Sequence, residues 1–335
     1  MGRQRNQSVN TNEDIAVCRE AGVSRRDFVA GALSLAGCLS AECVHAEEPA
    51  APDAGAPLKF RFLGTGAIDW ETGPNEYGEV RRFTSALVDG KVLLDFTARN
   101  REMLPDGCRP EAVFYTHSHR DHFNAAAALD IGVKRVYCHE SWADVARAKF
   151  DEAANGRPVP TVTGVKFGKP VAEGGVSFTA LPANHSTRRK GERCAIYVVE
   201  KNATRLLYAT DTCGIPRDAL KYARLERDAA KPITAIVMEA TAGLGHENDP
   251  RFFFSHSSVD TVVRTVRALE ASGRYRPPAP RPVYITHMIR SQYASMAELE
   301  KTLPSPIKAA FDGFEVEFGA ASGDLTNCGG NCKTR

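Results

Sequence analysis

From Leu58 onward, short apolar runs rich in β-branched and aromatic residues recur along the chain, each closed by Gly, Pro, Asn or Asp. LKFRFLGTG starts at Leu58, FTSALV at Phe83, KVLLDF at Lys91, AVFYT at Ala112 and KRVYCH at Lys134. VSFTAL starts at Val176, CAIYVVE at Cys194, TRLLYATD at Thr204 and ITAIVMEA at Ile233. PVYITH at Pro282, IKAAF at Ile307 and FEVEF at Phe314 complete the series. Their length and boundaries predict β-strands. Helical patterns separate some of them: HFNAAAAL from His122, ESWADVARAKFDEA from Glu140, IPRDALKYARLE and SSVDTVVRTVRALEAS. Pro216 falls near the first turn of the third, where a missing N–H costs little. Ser257 and Ser258 are candidate N-caps of the fourth. Early strands followed by strands alternating with helices predict an α/β class, two sheets covered by helices.

The chain has 335 residues, room for one large domain or two small ones. Hydrophobic and charged fractions of 43% and 25% are ordinary for a chain that buries a core. A net charge of +2 lacks the basic excess of a nucleic-acid-binding surface. It leaves room for a small anionic substrate to meet a local basic patch.

The N-terminus reads differently from the rest. VSRRDFVAGALSLAGCLSAECVHAEEP holds Arg25 and Arg26 in an S-R-R-x-F pattern, followed by a short apolar stretch from Phe28 to Leu39. A membrane-spanning helix needs ~20 apolar residues, so no transmembrane helix is expected here. The order of polar region, paired arginines, apolar stretch and small residues resembles a twin-arginine export signal. That resemblance implies passage through the Tat translocase and a periplasmic or extracellular location. Residues 1–46 are the expected signal, with cleavage after Ala46; lipidation at Cys38 within Leu35-Ala36-Gly37-Cys38 is the alternative. Residues 1–46 carry five basic and five acidic residues, so their removal leaves the charge at +2. Residues 47–57 read as a Pro/Ala linker, 58–320 as the folded domain and 321–335 as a C-terminal tail. Of six cysteines outside the leader, Cys328 and Cys332 are spaced for a disulfide in the tail. Cys138, Cys194 and Cys213 read as small buried apolar residues.

The chemistry concentrates in His117-x-His119-x-Asp121-His122, just past the AVFYT strand. Alternate residues leaving a buried strand face one way, so His117 and His119 can share one ion. Asp121 and His122 turn into the following helix and face a second. Imidazole and carboxylate together suit Zn²⁺, Mn²⁺ or Fe²⁺. His185, Asp211 and His287 each close a later strand-like run, where a rigid scaffold can hold a ligand. A carboxylate such as Asp211 can bridge two cations ~3.5–4 Å apart with a hydroxide between them.

In this order and spacing the residues resemble the metal-site signature of the metallo-β-lactamase superfamily, over roughly Leu58 to Phe318. The resemblance implies a four-layer αββα sandwich with two divalent ions, Zn²⁺ first among them, at one edge. It assigns His117, His119 and His185 to one ion, Asp121, His122 and His287 to the other, and Asp211 to both. Asp95 in VLLDFT matches the superfamily's early strand-end Asp, which orients the histidine loop. GTGAIDW, RRFTSALV and the C-terminal YITHMIRS…DGF resemble the branch of RNase Z and PhnP-like phosphodiesterases. His256 in FSHSSVDTVV then matches a histidine that protonates the leaving oxygen. The structural-zinc cysteines of PhnP-like enzymes are absent from ETGPNEYGEVRR, and no equivalent of the RNase Z tRNA-binding arm is evident.

The resulting expectation is a dinuclear-metal phosphodiesterase with His256, Asp121 and Asp211 as its catalytic residues. Lactone, β-lactam or ester hydrolysis at the same metals is the alternative, and a non-catalytic metal-binding or sensing protein is a third reading. Arg188, Arg189 and Lys190, directly after His185, are candidate substrate contacts, although a charge run is more often a solvated face. Glu239 in IVMEAT ends a strand near the site and reads as supporting or structural. His139 and His246 have no ligand context. The sequence leaves oligomeric state open.

Overall fold

The computed structural model describes residues 55–319 except Phe253 and residues 279–281. The expected leader, most of the linker, the tail and the Cys328/Cys332 pair lie outside the described residues.

Strands β1 (Leu58–Gly64), β2 (Ser85–Val88), β3 (Val92–Leu94), β4 (Ala112–Phe114), β5 (Arg135–His139) and β6 (Thr161–Val165) form one sheet. Strands β7 (Pro170–Glu173), β8 (Val176–Pro182), β9 (Ala195–Lys201) and β10 (Thr204–Ala209) begin the other. Strands β11 (Ala235–Glu239), β12 (Val283–Thr286) and β13 (Ile307–Ala309) extend that second sheet. The last strand, β14 (Glu315–Phe318), returns to pair with β1. Both sheets have seven strands, in the orders β14-β1-β2-β3-β4-β5-β6 and β13-β12-β11-β10-β9-β8-β7. Each is mixed: β3 to β6 are parallel in one and β10 to β13 in the other. Parallel strands buried on both faces need apolar residues, which is why β4 is apolar throughout and β11 and β12 are apolar up to their last residues, Glu239 and Thr286. All their residues are buried.

Three apolar layers hold the sandwich together. Between the sheets, Phe60, Phe62, Phe114, Phe178, Tyr197 and Tyr208 pack in one cluster. Helices α1 (Ala125–Asp130) and α2 (Ala143–Ala154) cover the outer face of the first sheet. Helices α3 (Arg217–Tyr222), α4 (Val259–Ala271) and α5 (Met296–Thr302) cover the second. The expected αββα layering is therefore present. Phe114 is central to the inter-sheet layer: its ring stacks 4.3 Å from Phe178 on the opposite sheet and 4.4 Å from Tyr137 beside it. Phe114→Ala should cost about 3–5 kcal/mol through lost burial and the cavity left behind. A urea denaturation curve measures this; a loss below about 1 kcal/mol would contradict the packing account.

The structure departs from the sequence expectation where burial is weak. Strands β6 and β7 were not expected, and each is the last strand of its sheet. An edge strand needs no apolar run, and TVTGV and PVAE expose most of their residues or leave them half-buried. Helix α5 buries only Leu299. Ser258 caps α4 by accepting the Thr261 N–H. Ser257 is not the cap; its hydroxyl donates to Thr212 O and accepts the Gly214 N–H, tying the start of α4 to the end of β10. Cys138 and Cys194 are buried as expected, but Cys213 is half-buried.

Candidate metal centre and active site

The site residues leave the C-terminal ends of strands, where one edge of the sandwich gathers them. Asp95 follows β3, His117–His122 follow β4, His185 follows β8, Asp211 follows β10, Glu239 ends β11 and His287 follows β12. Asp95, Asp211 and His287 have φ of 53°, 50° and 56°. A left-handed residue turns the chain sharply as the strand ends, swinging its side chain over the sheet edge. Asp and His tolerate this region better than branched residues do, and such strain of about 1–3 kcal/mol concentrates at functional sites.

Two groups of ligand-type atoms converge. In the first, His119 Nδ1 lies 2.9 Å from His117 Nε2 and 3.3 Å from His185 Nε2. In the second, His122 Nε2 lies 3.3 Å from His287 Nε2 and 3.5 Å from Asp121 Oδ2. Asp211 stands between them. Its Oδ2 is 3.0 Å from His122 Nε2 and 3.3 Å from His287 Nε2. Its Oδ1 is 3.9 Å from His117 Nε2 and 3.7 Å from His185 Nε2. The structure thus brings together all seven residues expected to be ligands.

Hydrogen bonds at the far side of four of the rings decide which nitrogen faces inward. His122 Nδ1–H donates to Asp95 Oδ2 at 2.8 Å. His117 Nδ1–H donates to Thr116 Oγ1 at 2.9 Å, and the Thr116 hydroxyl donates in turn to Asp95. Asp95 also accepts the Thr116 N–H at 2.8 Å. A parallel relay serves His287: its Nδ1–H donates to Thr241 Oγ1 at 2.9 Å, and Thr241 donates to Glu239. His185 Nδ1–H donates to Ser255 O at 3.0 Å. With those protons fixed outward, the inward ring nitrogens face one another and the oxygens of Asp121 and Asp211. Acceptors this close repel unless cations lie among them, and this N/O donor set suits a divalent metal. The residues present therefore fit the expected ions.

The electrostatics agree. Burial alone would push His122 down, but Asp211, Asp121 and Asp95 outweigh it and hold the imidazole well above its usual range. Burial and the neighbouring His122 push His117 well below the ordinary value. For Asp211, burial opposes ionisation, yet His122 and His287 keep the carboxyl well below the carboxylate range. A buried site that draws a proton onto His122 this strongly presents the negative potential that would also draw a cation. Asp95→Ala removes the anchor of both His122 and the Thr116 relay. It should weaken metal affinity by about 10–100-fold, as read by titration with a chelating indicator; unchanged affinity would reject the anchoring role.

His256 stands beside the cluster, its side chain 15% exposed. Nδ1 is 3.2 Å from Glu239 Oε2, 3.2 Å from Thr241 Oγ1 and 3.7 Å from Asp211 Oδ1. Burial disfavours its cation, but Glu239, with Asp211 and Asp121 beyond it, outweighs burial and raises His256 to about 9. Glu239, fully buried, also accepts the Thr212 N–H. It is therefore a supporting carboxylate at the site. Thr116 and Thr241 were not singled out in the sequence; their only signal there is a place one residue before His117 and two after Glu239.

A cleft of about 510 Å³ opens over the cluster. Its walls combine His119, Asp121, Asp211, His256 and His287 with apolar Ile68, Phe252 and Ile289. Of the three expected basic contacts, Arg189 lines the cleft, whereas Arg188 and Lys190 are exposed outside its lining. At Arg188 the backbone takes φ 61° in the turn after His185. Arg120, which was not anticipated, also lines the cleft, with Nη2 held 2.7 Å from Glu71. His139 pairs with Ser141 and lies tilted against the Phe167 ring, consistent with a structural reading.

A sequence-family model described as "Beta-lactamase superfamily domain" matches residues 86–288. The chain belongs to that superfamily. Its members are typically metal-dependent hydrolases, and this metallo-β-lactamase-fold hydrolase carries His/Asp clusters able to bind metal. No curated protein sequence matches it significantly. Among solved structures, a diphosphatase from the PhnP family is similar at TM-score 0.57 and 22% identity, over 78% of this chain and 97% of that one. Zn²⁺-bound PqqB from Methylobacterium extorquens is similar at TM-score 0.54 and 17% identity, over 77% of this chain and 99% of that one. A long-form RNase Z from yeast aligns at TM-score 0.50 and 12% identity, over 81% of this chain and 43% of that one. At these identities the likeness is one of fold. Among the described residues, no helix is long and apolar enough to cross a membrane.

Proposed function

We propose that this superfamily member is a phosphodiesterase that works with two divalent ions. The observation that carries the two-ion reading is Asp211, whose two oxygens address different groups of histidines. His117, His119 and His185 would hold one ion, and Asp121, His122 and His287 the other. Zn²⁺ is the first candidate, in keeping with the Zn²⁺-bound PqqB neighbour; Mn²⁺ and Fe²⁺ suit the same donors. When bound, such ions supply an activated water and neutralise charge on phosphoryl oxygens.

The protein's own groups provide the remaining steps. Asp121 and Asp211 stay ionised and fix the geometry of the centre. Arg189 offers charge to an anionic substrate along the cleft wall. His256, kept protonated by Glu239, gives a proton to the departing oxygen. A phosphodiester needs that proton when its leaving group is an alkoxide, and the likeness to a PhnP-family diphosphatase supports phosphorus as the centre attacked. The twin-arginine pattern at Arg25-Arg26 supports export of the folded enzyme.

The test is elemental analysis of the purified protein beside a panel of bis(p-nitrophenyl) phosphate, a lactone and a chromogenic β-lactam. Preferential hydrolysis of the phosphodiester supports the proposal. Turnover of the lactone or β-lactam alone would move the assignment to acyl transfer, and a metal-loaded protein inert to all three would favour a binding role.

A further inference from the structure

The Glu192 side chain is completely shielded from solvent. Its Oε1 accepts the Ser118 N–H at 2.8 Å and its Oε2 accepts the Ser118 hydroxyl at 2.7 Å. Arg189 Nε lies 3.3 Å from the same Oε2. Ser118 sits between His117 and His119, while Glu192 closes the turn that begins at His185, with its N–H donating to Arg189 O at 3.2 Å. One buried carboxylate thus joins the two loops that bring His117, His119 and His185 together.

A buried carboxylate is costly unless its charge and lone pairs are matched. Ser118 fills one position on each oxygen, and Arg189 supplies the countercharge. Because Arg189 meets Glu192 through Nε, its terminal nitrogens are left for another partner; among the described residues they have no protein acceptor. The guanidinium fork is suited to two oxygens of a phosphoryl group, and Arg189 and Ser118 both line the cleft. Arg120, the other arginine of the lining, already has a terminal nitrogen on Glu71.

We propose that Glu192 is a positioning residue that holds Arg189 in the cleft as a contact for the non-reacting oxygens of an anionic phosphoryl substrate. The pair thereby favours anionic diesters over neutral esters and lactones. This rests on the phosphodiester reading for the identity of the anion, but the positioning itself is measured without turnover.

The experiment is calorimetric titration of the full-length, metal-loaded protein with inorganic phosphate, alongside elemental analysis, for wild type, R189A, E192Q and the double variant. Each single substitution is expected to weaken phosphate binding by about tenfold, the scale of one charge-assisted contact. The double variant should bind no more weakly than R189A, because both remove the same interaction. Metal content should match wild type. With bis(p-nitrophenyl) phosphate, KM should rise by about tenfold while kcat stays within about twofold, as for a group that binds ground and transition states alike. Three results would each overturn the proposal: phosphate affinity unchanged in E192Q, effects that multiply in the double variant, or metal lost from E192Q, which would make Glu192 a prop of the histidine loop. A wild type that shows the phosphate-binding pattern but cleaves no phosphodiester would leave Glu192 in this role and reject the proposed function instead.

Discussion

Asp211→Ala is expected to strip the centre of metal and lower kcat/KM by more than about a thousandfold, since it would remove the charge that the two proposed ions share along with the electrostatic stabilisation they would provide. The carboxylate is 2% exposed and sits where four histidines from three strand ends converge. Thr210 donates to its Oδ2 at 2.9 Å, which helps to fix the orientation that splits its oxygens between the two groups. Asp211→Asn separates charge from shape. The amide keeps one oxygen and turns an NH₂ donor toward the other group, so it can serve only one ion. Metal content measured by elemental analysis should fall from two ions per chain in wild type to one or fewer in Asp211→Asn. Two ions retained in both variants would reject the bridging role.

His256→Ala should lower turnover by about 10²–10⁴-fold for a diester with an alkyl leaving group, the usual range for general acid catalysis. Metal content should not change, because the ring faces Glu239 and Thr241 rather than completing either group of expected ligands. A p-nitrophenyl leaving group departs readily as the anion and needs little proton donation, so its penalty should be within about tenfold. The pH profile carries the sign. A general acid works protonated, so activity falls as pH rises through the His256 pKa, which Glu239 raises toward about 9 against the opposing effect of burial. Glu239→Gln removes that support and should move the alkaline limb to lower pH. Equal penalties for both leaving groups, or loss of metal from His256→Ala, would show that the ring is structural.

Buried parallel strands were legible in the sequence because burial on both faces demands apolar runs, as in AVFYT, ITAIVMEA and PVYITH. Edge strands β6 and β7 were not, because half-exposed TVTGV and PVAE look like loop. The cluster from His117 to His122 was visible through density alone, and His185, Asp211 and His287 through their places at strand ends. The left-handed turns at Asp95, Asp211 and His287 were invisible, because the strands around them force those dihedrals. Partnerships distant in sequence were equally hidden. Thr241 supports His287 from 46 positions away and Glu192 reaches Ser118 across 74. In Arg188-Arg189-Lys190 the charge run does not distinguish its members, and only backbone geometry could select Arg189 as the one that lines the cleft.

The most direct test of the two-ion account is turnover of bis(p-nitrophenyl) phosphate by chelator-treated protein as Zn²⁺ is returned in measured equivalents per chain. Activity should be absent without metal, rise with addition and level off at two equivalents. A plateau at one equivalent, or no hydrolysis at any loading with Zn²⁺, Mn²⁺ or Fe²⁺, would contradict it.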